Sequence, residues 1–210
     1  MEKILIYTVH KAASTFLHKL TADISSELGI RHYSVNYRKD YPAITGNSWR
    51  KLIQSTQGGS CFGPIRLAEA KPNIPKKLDN YSIILHLRDP RDVLTSLFFS
   101  LTYSHKRKKG RFNPSDRERE QWERDGIDTF ILERFHVQLD QYTKALNILF
   151  HNENVKFIRY EDMVTNFSSW LEEYISAFSA VAPPPRKTLL NRHPHPPLEK
   201  LHPKLYKKYK

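Results

Sequence analysis

Lys11, Ser14 and Thr15 stand close together between an apolar run, Ile4-Leu5-Ile6-Tyr7-Thr8-Val9, and a stretch that opens with Phe16 and Leu17. A cation and two hydroxyls in a short loop that runs into a helix suit an anion. The unpaired N–H groups of a helix N-terminus face such a ligand, and the helix dipole favours its charge. Lys11 adds a full positive charge, and Ser14 and Thr15 add hydroxyl donors. A plain strand-to-helix turn with a surface lysine is the simpler alternative. A second group of chemically able residues is Arg88-Asp89-Pro90-Arg91-Asp92 with Ser96. Asp89 is a good N-cap, Pro90 suits the first helical position, and Asp92 completes something close to a capping box. Arg88 at a strand end and Ser96 two turns into the helix can converge on one anion. Capping alone would also account for Asp89 and Pro90. A third group is Tyr160-Glu161-Asp162-Met163, directly after another apolar run.

The elements that position these groups follow from hydrophobic period. Lys3 to Thr8 reads as a buried parallel strand because it is almost continuously apolar. Phe16, Leu17, Leu20, Ile24 and Leu28 recur at helical spacing, which predicts a helix over Ser14 to Leu28 closed by Gly29. Arg31 to Tyr37 reads as a short strand. Residues 38 to 64 are polar and broken by Pro42, Gly46, Gly58, Gly59, Gly63 and Pro64, so they read as loops with one short helix. Tyr81 to Leu87 reads as a central strand and Pro90 to Tyr103 as a helix. Helical spacing from Phe130 to Leu149 predicts a long helix over Ile127 to Phe150. Val155 to Tyr160 reads as a strand and Trp170 to Phe178 as a helix, before Pro183-Pro184-Pro185 interrupts the chain. Strands alternating with helices predict an α/β fold with a central parallel sheet and helices on both faces. Ligands in such sheets sit at the carboxyl ends of the strands.

The 210 residues fit one domain, read as spanning 1–210, with residues 191–210 as a basic tail rich in Pro and His. One cysteine, Cys61, rules out an internal disulfide and suits a reducing compartment. No apolar run approaches a membrane span, and the N-terminal residues lead straight into a strand without a signal-peptide pattern. The expectation is a cytoplasmic protein. The formal net charge of +12 points to anionic partners, whether nucleic acid, an acidic polymer or a small polyanion.

The three groups, taken together, carry a family resemblance. A nucleotide-binding P-loop needs two glycines and a lysine directly before Ser/Thr, whose hydroxyl holds Mg²⁺. Here Ala12 and Ala13 precede Ser14 and the lysine comes first. The segment Lys11-Ala12-Ala13-Ser14-Thr15-Phe16 instead resembles the 5′-phosphosulfate loop of sulfotransferases that use 3′-phosphoadenosine 5′-phosphosulfate (PAPS). Ala13 replaces the usual Gly there, which strains the loop unless its φ is negative. Arg88 to Ser96 resembles the family's 3′-phosphate motif, and Tyr160-Glu161-Asp162-Met163 its adenine-contacting segment. The resemblance implies a three-layer, P-loop-like sulfotransferase fold. It implies PAPS as cosubstrate, transfer of a sulfuryl group to a hydroxyl or amine, and release of 3′,5′-ADP. Lys11 would neutralise the leaving oxygen; Ala12, Ala13, Ser14 and Thr15 would hold the 5′-phosphate; Phe16 would pack on the purine. Arg88 and Ser96 would take the 3′-phosphate and Tyr160 the adenine. No metal is required, and the histidines show no ligand spacing.

The acceptor's proton needs a base. The family's small-molecule branch uses a His before the second motif, but residues 60 to 80 contain none, and an ungapped count puts Arg66 there. The nearest carboxylate after the first helix is Asp40, with Glu69 second; both are equally explicable as solvated loop carboxylates. The family's Arg-Lys-Gly 3′-phosphate loop is absent from the tail, leaving Arg192 or Lys187 as substitutes. The acceptor reads as a saccharide or another polar or anionic hydroxyl compound. The competing readings are a P-loop-type small-molecule kinase, which lacks its Walker lysine, and a nucleic-acid-binding module built on His105 to Arg111. That basic run has no interleaved aromatics for stacking bases, so no nucleic-acid partner is expected. Oligomeric state is not legible.

Overall fold

The computed structural model describes residues 3–34, 47–67, 74–75, 77–104 and 114–181. Among these residues, five parallel strands form one sheet in the order β2-β3-β1-β4-β5. They are β1 (Lys3–Thr8), β2 (Arg31–Tyr33), β3 (Ser60–Arg66), β4 (Tyr81–Leu87) and β5 (Val155–Arg159). The helices are α1 (Ser14–Glu27), α2 (Asn47–Ser55), α3 (Pro90–Phe99), α4 (Asp116–Leu149), α5 (Tyr160–Thr165) and α6 (Phe167–Ser176). β1 is central, and Ile4, Leu5, Ile6 and Tyr7 are completely buried, which is why the strand needs no polar alternation.

Crossovers between parallel strands are right-handed. The chain leaves β1 toward β2 through α1, then moves the other way from β2 to β3 and from β4 to β5. That reversal puts α1 on the opposite face of the sheet from α2, α3 and α4. α6 returns to the α1 face, where Thr21 Oγ1 and the Tyr174 hydroxyl share a buried 2.7 Å hydrogen bond. Leu17, Leu20 and Ile24 turn the apolar stripe of α1 fully into this layer. Each contributes about 1.5–3 kcal/mol of burial. The molecule is thus a three-layer α/β sandwich, as the pattern of strands and helices predicts.

The segment from 38 to 64 departs from expectation. It holds not only the helix α2 but most of an interior strand, β3, whose Gly63 and Pro64 read as loop residues in the sequence. The register with β1 explains how they fit: Leu5 pairs with Phe62, but Tyr7 pairs with Ile65, so β3 carries one extra residue at Gly63-Pro64. A bulge is where an interior strand tolerates a proline, which has no N–H for the ladder. Gly63 has φ 132, and a Cβ there would sit 2.5 Å from the Ile6 carbonyl oxygen. His32 Nε2 lies 2.7 Å from the Gly63 carbonyl oxygen, so the bulge keeps that group paired.

β2 ends at Tyr33 rather than Tyr37; residues 35–37 lie outside the described residues. α3 stops at Phe99 and a π-helical turn, Ser100–Ser104, completes the expected stretch. α4 starts eleven residues before Ile127, at Asp116, with a Ser115–Glu118 capping box. Gly126 (φ 83, ψ 175) breaks it, so the expected long helix is its second limb. The first limb is nearly all charged, with Trp122 its one large buried apolar anchor, and so shows no helical period. Asp40, Glu69, Lys187, Arg192, the run His105 to Arg111 and the tail lie outside the described residues. Among the described residues no helix is long and apolar enough to cross a membrane.

Candidate active site

The loop after β1 is bent by two left-handed residues, Lys11 (φ 62) and Ala13 (φ 56). Neither is glycine, so each costs about 1–2 kcal/mol; the strain anticipated for Ala13 is present. Alternation of left-handed and other residues turns successive backbone N–H groups to one side and forms an anion-sized concavity. Ala13 is also the N-cap of α1. It supplies no side-chain cap, and the first turn of α1 carries no acid. The helix therefore offers its N-terminal N–H groups and its positive dipole end to whatever lies above the loop. Ala12 is completely buried, Ser14 is buried and Thr15 exposed.

Three cations meet at this loop. Lys11 belongs to it. Arg66, at the end of β3, donates from Nε and Nη2 to Ser14 Oγ at 3.3 and 3.2 Å. Arg88, one residue past β4, donates from Nη1 to the Lys11 carbonyl oxygen at 2.7 Å. Burial pulls the Lys11 ammonium below the ordinary lysine value, and the charges of Arg88 and Arg66 lower it further. Arg88 Nε is buried without a partner. Like charges gathered with a desolvated donor are costly in the absence of an anion, so the arrangement fits a polyanionic ligand.

Arg88 is held from three sides. Its guanidinium lies over the Tyr160 ring, 4.3 Å from the centroid, a cation–π contact. Its Nη2 is 3.9 Å from Asp92 Oδ2. Its backbone carbonyl accepts a hydrogen bond from the Tyr142 hydroxyl of α4. The next residue, Asp89, caps α3 by accepting from the Arg91 N–H at 2.8 Å, and its own N–H donates to Glu161 Oε1 at 2.9 Å. The Arg91 guanidinium beside it, with the Arg91 and Asp92 N–H groups, holds the Asp89 carboxyl at about 2. Burial raises the Tyr160 phenol, which stays protonated at neutral pH.

Direct contacts thus join Arg88 to Lys11 and to Tyr160, while Ser14 is bound by Arg66. Ser96 is buried on α3 and makes no hydrogen bond to Arg88. Phe16 sits half-buried against Phe167 and Trp170, with ring centroids 6.0 and 6.2 Å away. That puts an aromatic wall at the mouth of α1. Sequence reasoning missed Glu161 and Tyr142 as supports of the Arg88 corner, and named Arg66 only by counting. Nothing local marks them: their roles depend on β3, α4 and α5 meeting the strand ends. His86 was also missed. It is fully buried on β4, edge-on to Trp170 at 5.7 Å, and both ring nitrogens lack partners. Among the described residues no group of three or more His, Cys, Asp or Glu could hold a metal ion.

Residues 1–179 match the model of the sulfotransferase domain family. No curated protein matches the chain in sequence. Among solved structures, it is similar to the mouse sulfotransferase SULT7A1 complexed with PAP, at 15% identity and a TM-score of 0.55. That match covers 91% of this chain and 64% of the mouse protein, so the chain spans less than two thirds of that relative. A sulfotransferase from Alicyclobacillus acidocaldarius matches at 15% identity and a TM-score of 0.49, covering 100% of this chain and 91% of that one.

Proposed function

The chain belongs to the sulfotransferase domain family, and from that membership we propose that it transfers a sulfuryl group from PAPS to a hydroxyl or amine acceptor, releasing 3′,5′-ADP. The observation that carries this reading is the meeting of Lys11, Arg66 and Arg88 over the uncapped N-terminus of α1. It is a site for more than one anionic group, with no catalytic metal assigned to it.

In this reading the 5′-phosphosulfate lies on the N–H groups of Ala12, Ala13, Ser14 and Thr15. The bond between sulfur and the bridging oxygen breaks as a bond from sulfur to the acceptor oxygen forms. Lys11 neutralises the charge that grows on the bridging oxygen. Phe16 packs on the purine, Tyr160 borders the adenine, and Arg88 with Ser96 takes the 3′-phosphate. The partnerless Arg88 Nε supports that assignment, because a phosphate oxygen would satisfy it. Asp40 is our candidate for the base that takes the acceptor's proton, with Glu69 as the substitute. A saccharide or other polar hydroxyl compound, anionic enough to be steered by the net charge of +12, is our candidate acceptor. We read the whole of 1–210 as one such domain and its setting as the cytoplasm, on the strength of a single, buried cysteine.

Two measurements test this. Thermal stabilisation is compared for 3′,5′-ADP, Mg-ATP and an oligonucleotide. The expected result is a clear shift with 3′,5′-ADP alone; a larger shift with Mg-ATP would favour a kinase. Labelled PAPS is then offered to phenols, steroids, lipids and glycans. Efficient transfer to simple phenols with Asp40→Asn fully active would overturn both the acceptor class and the base.

A further inference from the structure

Arg66 is the residue of the site that the sequence motifs leave without a role. It closes β3 directly opposite Thr8, the last residue of β1. That pairing depends on the bulge. With the register that holds from Lys3↔Ser60 to Leu5↔Phe62, Ile65 would fall opposite Thr8 instead. A one-residue slip also reverses which side chain faces which side of a strand. The extra residue at Gly63-Pro64 therefore brings a guanidinium, rather than an isoleucine, to the loop.

We propose that Arg66 is a positioning residue of the 5′-phosphosulfate site: it grips Ser14 Oγ as an acceptor and so turns the Ser14 hydroxyl proton toward the anion. The inference rests on the reading of this loop as a PAPS site. Two donors of one planar fork, Nε and Nη2, converge on Ser14 Oγ. A serine hydroxyl has one proton and two lone pairs. With Arg66 bound to the lone-pair side, the proton is directed elsewhere, and Ser14 is a donor before the ligand arrives. Ser14 itself is buried. Arg66 contributes charge and orientation. It also makes Lys11 easier to deprotonate, alongside Arg88.

The test uses binding of 3′,5′-ADP and of adenosine 3′-monophosphate, which lacks the 5′-phosphate, to the wild-type chain, Arg66→Gln, Arg66→Lys, Ser14→Ala and the Arg66→Gln/Ser14→Ala double variant. We expect Arg66→Gln to weaken 3′,5′-ADP by about tenfold or more and adenosine 3′-monophosphate by less than about twofold. The losses from Arg66→Gln and Ser14→Ala should be less than additive, since the two act as one unit. Arg66→Lys keeps the charge without the fork and should fall between wild type and Arg66→Gln; it carries the test where Arg66→Gln does not fold. A second readout is the alkaline limb of kcat/KM, which reports the free enzyme. It should move to higher pH in Arg66→Gln, because a cation near Lys11 is gone. Equal losses for both nucleotides, fully additive losses, or an unmoved alkaline limb would overturn the role assigned to Arg66. If wild-type protein fails to prefer 3′,5′-ADP over adenosine 3′-monophosphate, the PAPS reading itself fails; if it shows the preference and Arg66→Gln keeps it, only this inference fails.

Discussion

Arg88 Nη1 donates a 2.7 Å hydrogen bond to the carbonyl oxygen of Lys11, so the end of β4 holds the loop that follows β1. The two residues lie 77 positions apart, yet one contact sets both. It supports the left-handed turn at Lys11 and leaves the Arg88 guanidinium stacked on Tyr160 with Nε pointed at no protein acceptor.

Removing Arg88 should therefore have two separable effects. Arg88→Ala is expected to weaken 3′,5′-ADP by roughly 10- to 100-fold, the range for a charge-assisted contact. Binding of 5′-AMP, which has no 3′-phosphate, should weaken only a few-fold, through the lost hold on Lys11. Calorimetric titration of both nucleotides checks this, and matching losses would remove Arg88 from the 3′-phosphate.

Lys11→Ala should separate turnover from binding. Charge on the bridging oxygen is largest in the transition state, so kcat should fall by about 10²–10³-fold while the Kd for 3′,5′-ADP rises less than about tenfold. Steady-state kinetics alongside titration decides it. Equal changes in the two would confine Lys11 to ground-state binding.

Gly63→Ala tests the bulge. The added Cβ would meet the Ile6 carbonyl oxygen at 2.5 Å, at a φ of 132 that side chains rarely adopt. We expect a loss of roughly 2–3 kcal/mol in urea denaturation. Nucleotide binding should weaken in the protein that remains folded, because Arg66 owes its place to this register. A loss below about 0.5 kcal/mol would mean that β3 can shed the bulge cheaply.

Acid should destabilise the fold through His86. Burial holds its ring at about 3, against an ordinary 6.5. Between those values the unfolded chain takes up a proton that the folded chain refuses, so stability falls as pH drops below 6.5. His18 and His32, also lowered by burial, act in the same direction. Asp89 acts later: its contribution is intact above 3.8 and is lost as pH falls toward 2. At pH 5 the His86 effect is on the order of 2 kcal/mol relative to neutral pH. Urea midpoints at pH 7.5 and pH 5 should differ less in His86→Leu than in wild type. An unchanged difference would place the acid sensitivity elsewhere.

Much of the fold can be read along the chain. The runs Lys3–Thr8 and Tyr81–Leu87 have to be buried strands because almost nothing in them can face water. The helical stripe of α1 and the Asp89-Pro90 cap are local, and so are legible. β3 was not, because Gly63 and Pro64 are turn residues until a neighbouring strand supplies a bulge to hold them. The first limb of α4 was not, because a charged stretch has no period to show which face is buried.

The candidate site divides in the same way. Sequence alone determined its order along the chain: the Lys11–Phe16 loop, the Arg88 corner and Tyr160, each following a strand. These are signals carried by residues close together along the chain. Only the tertiary structure decided that Arg66 joins Ser14, that Arg88 holds Lys11, and that Glu161 and Tyr142 brace the Arg88 corner. Those contacts depend on strand order and on a one-residue register shift between β1 and β3. Sheet register is a property of pairs of strands, and no single segment encodes it.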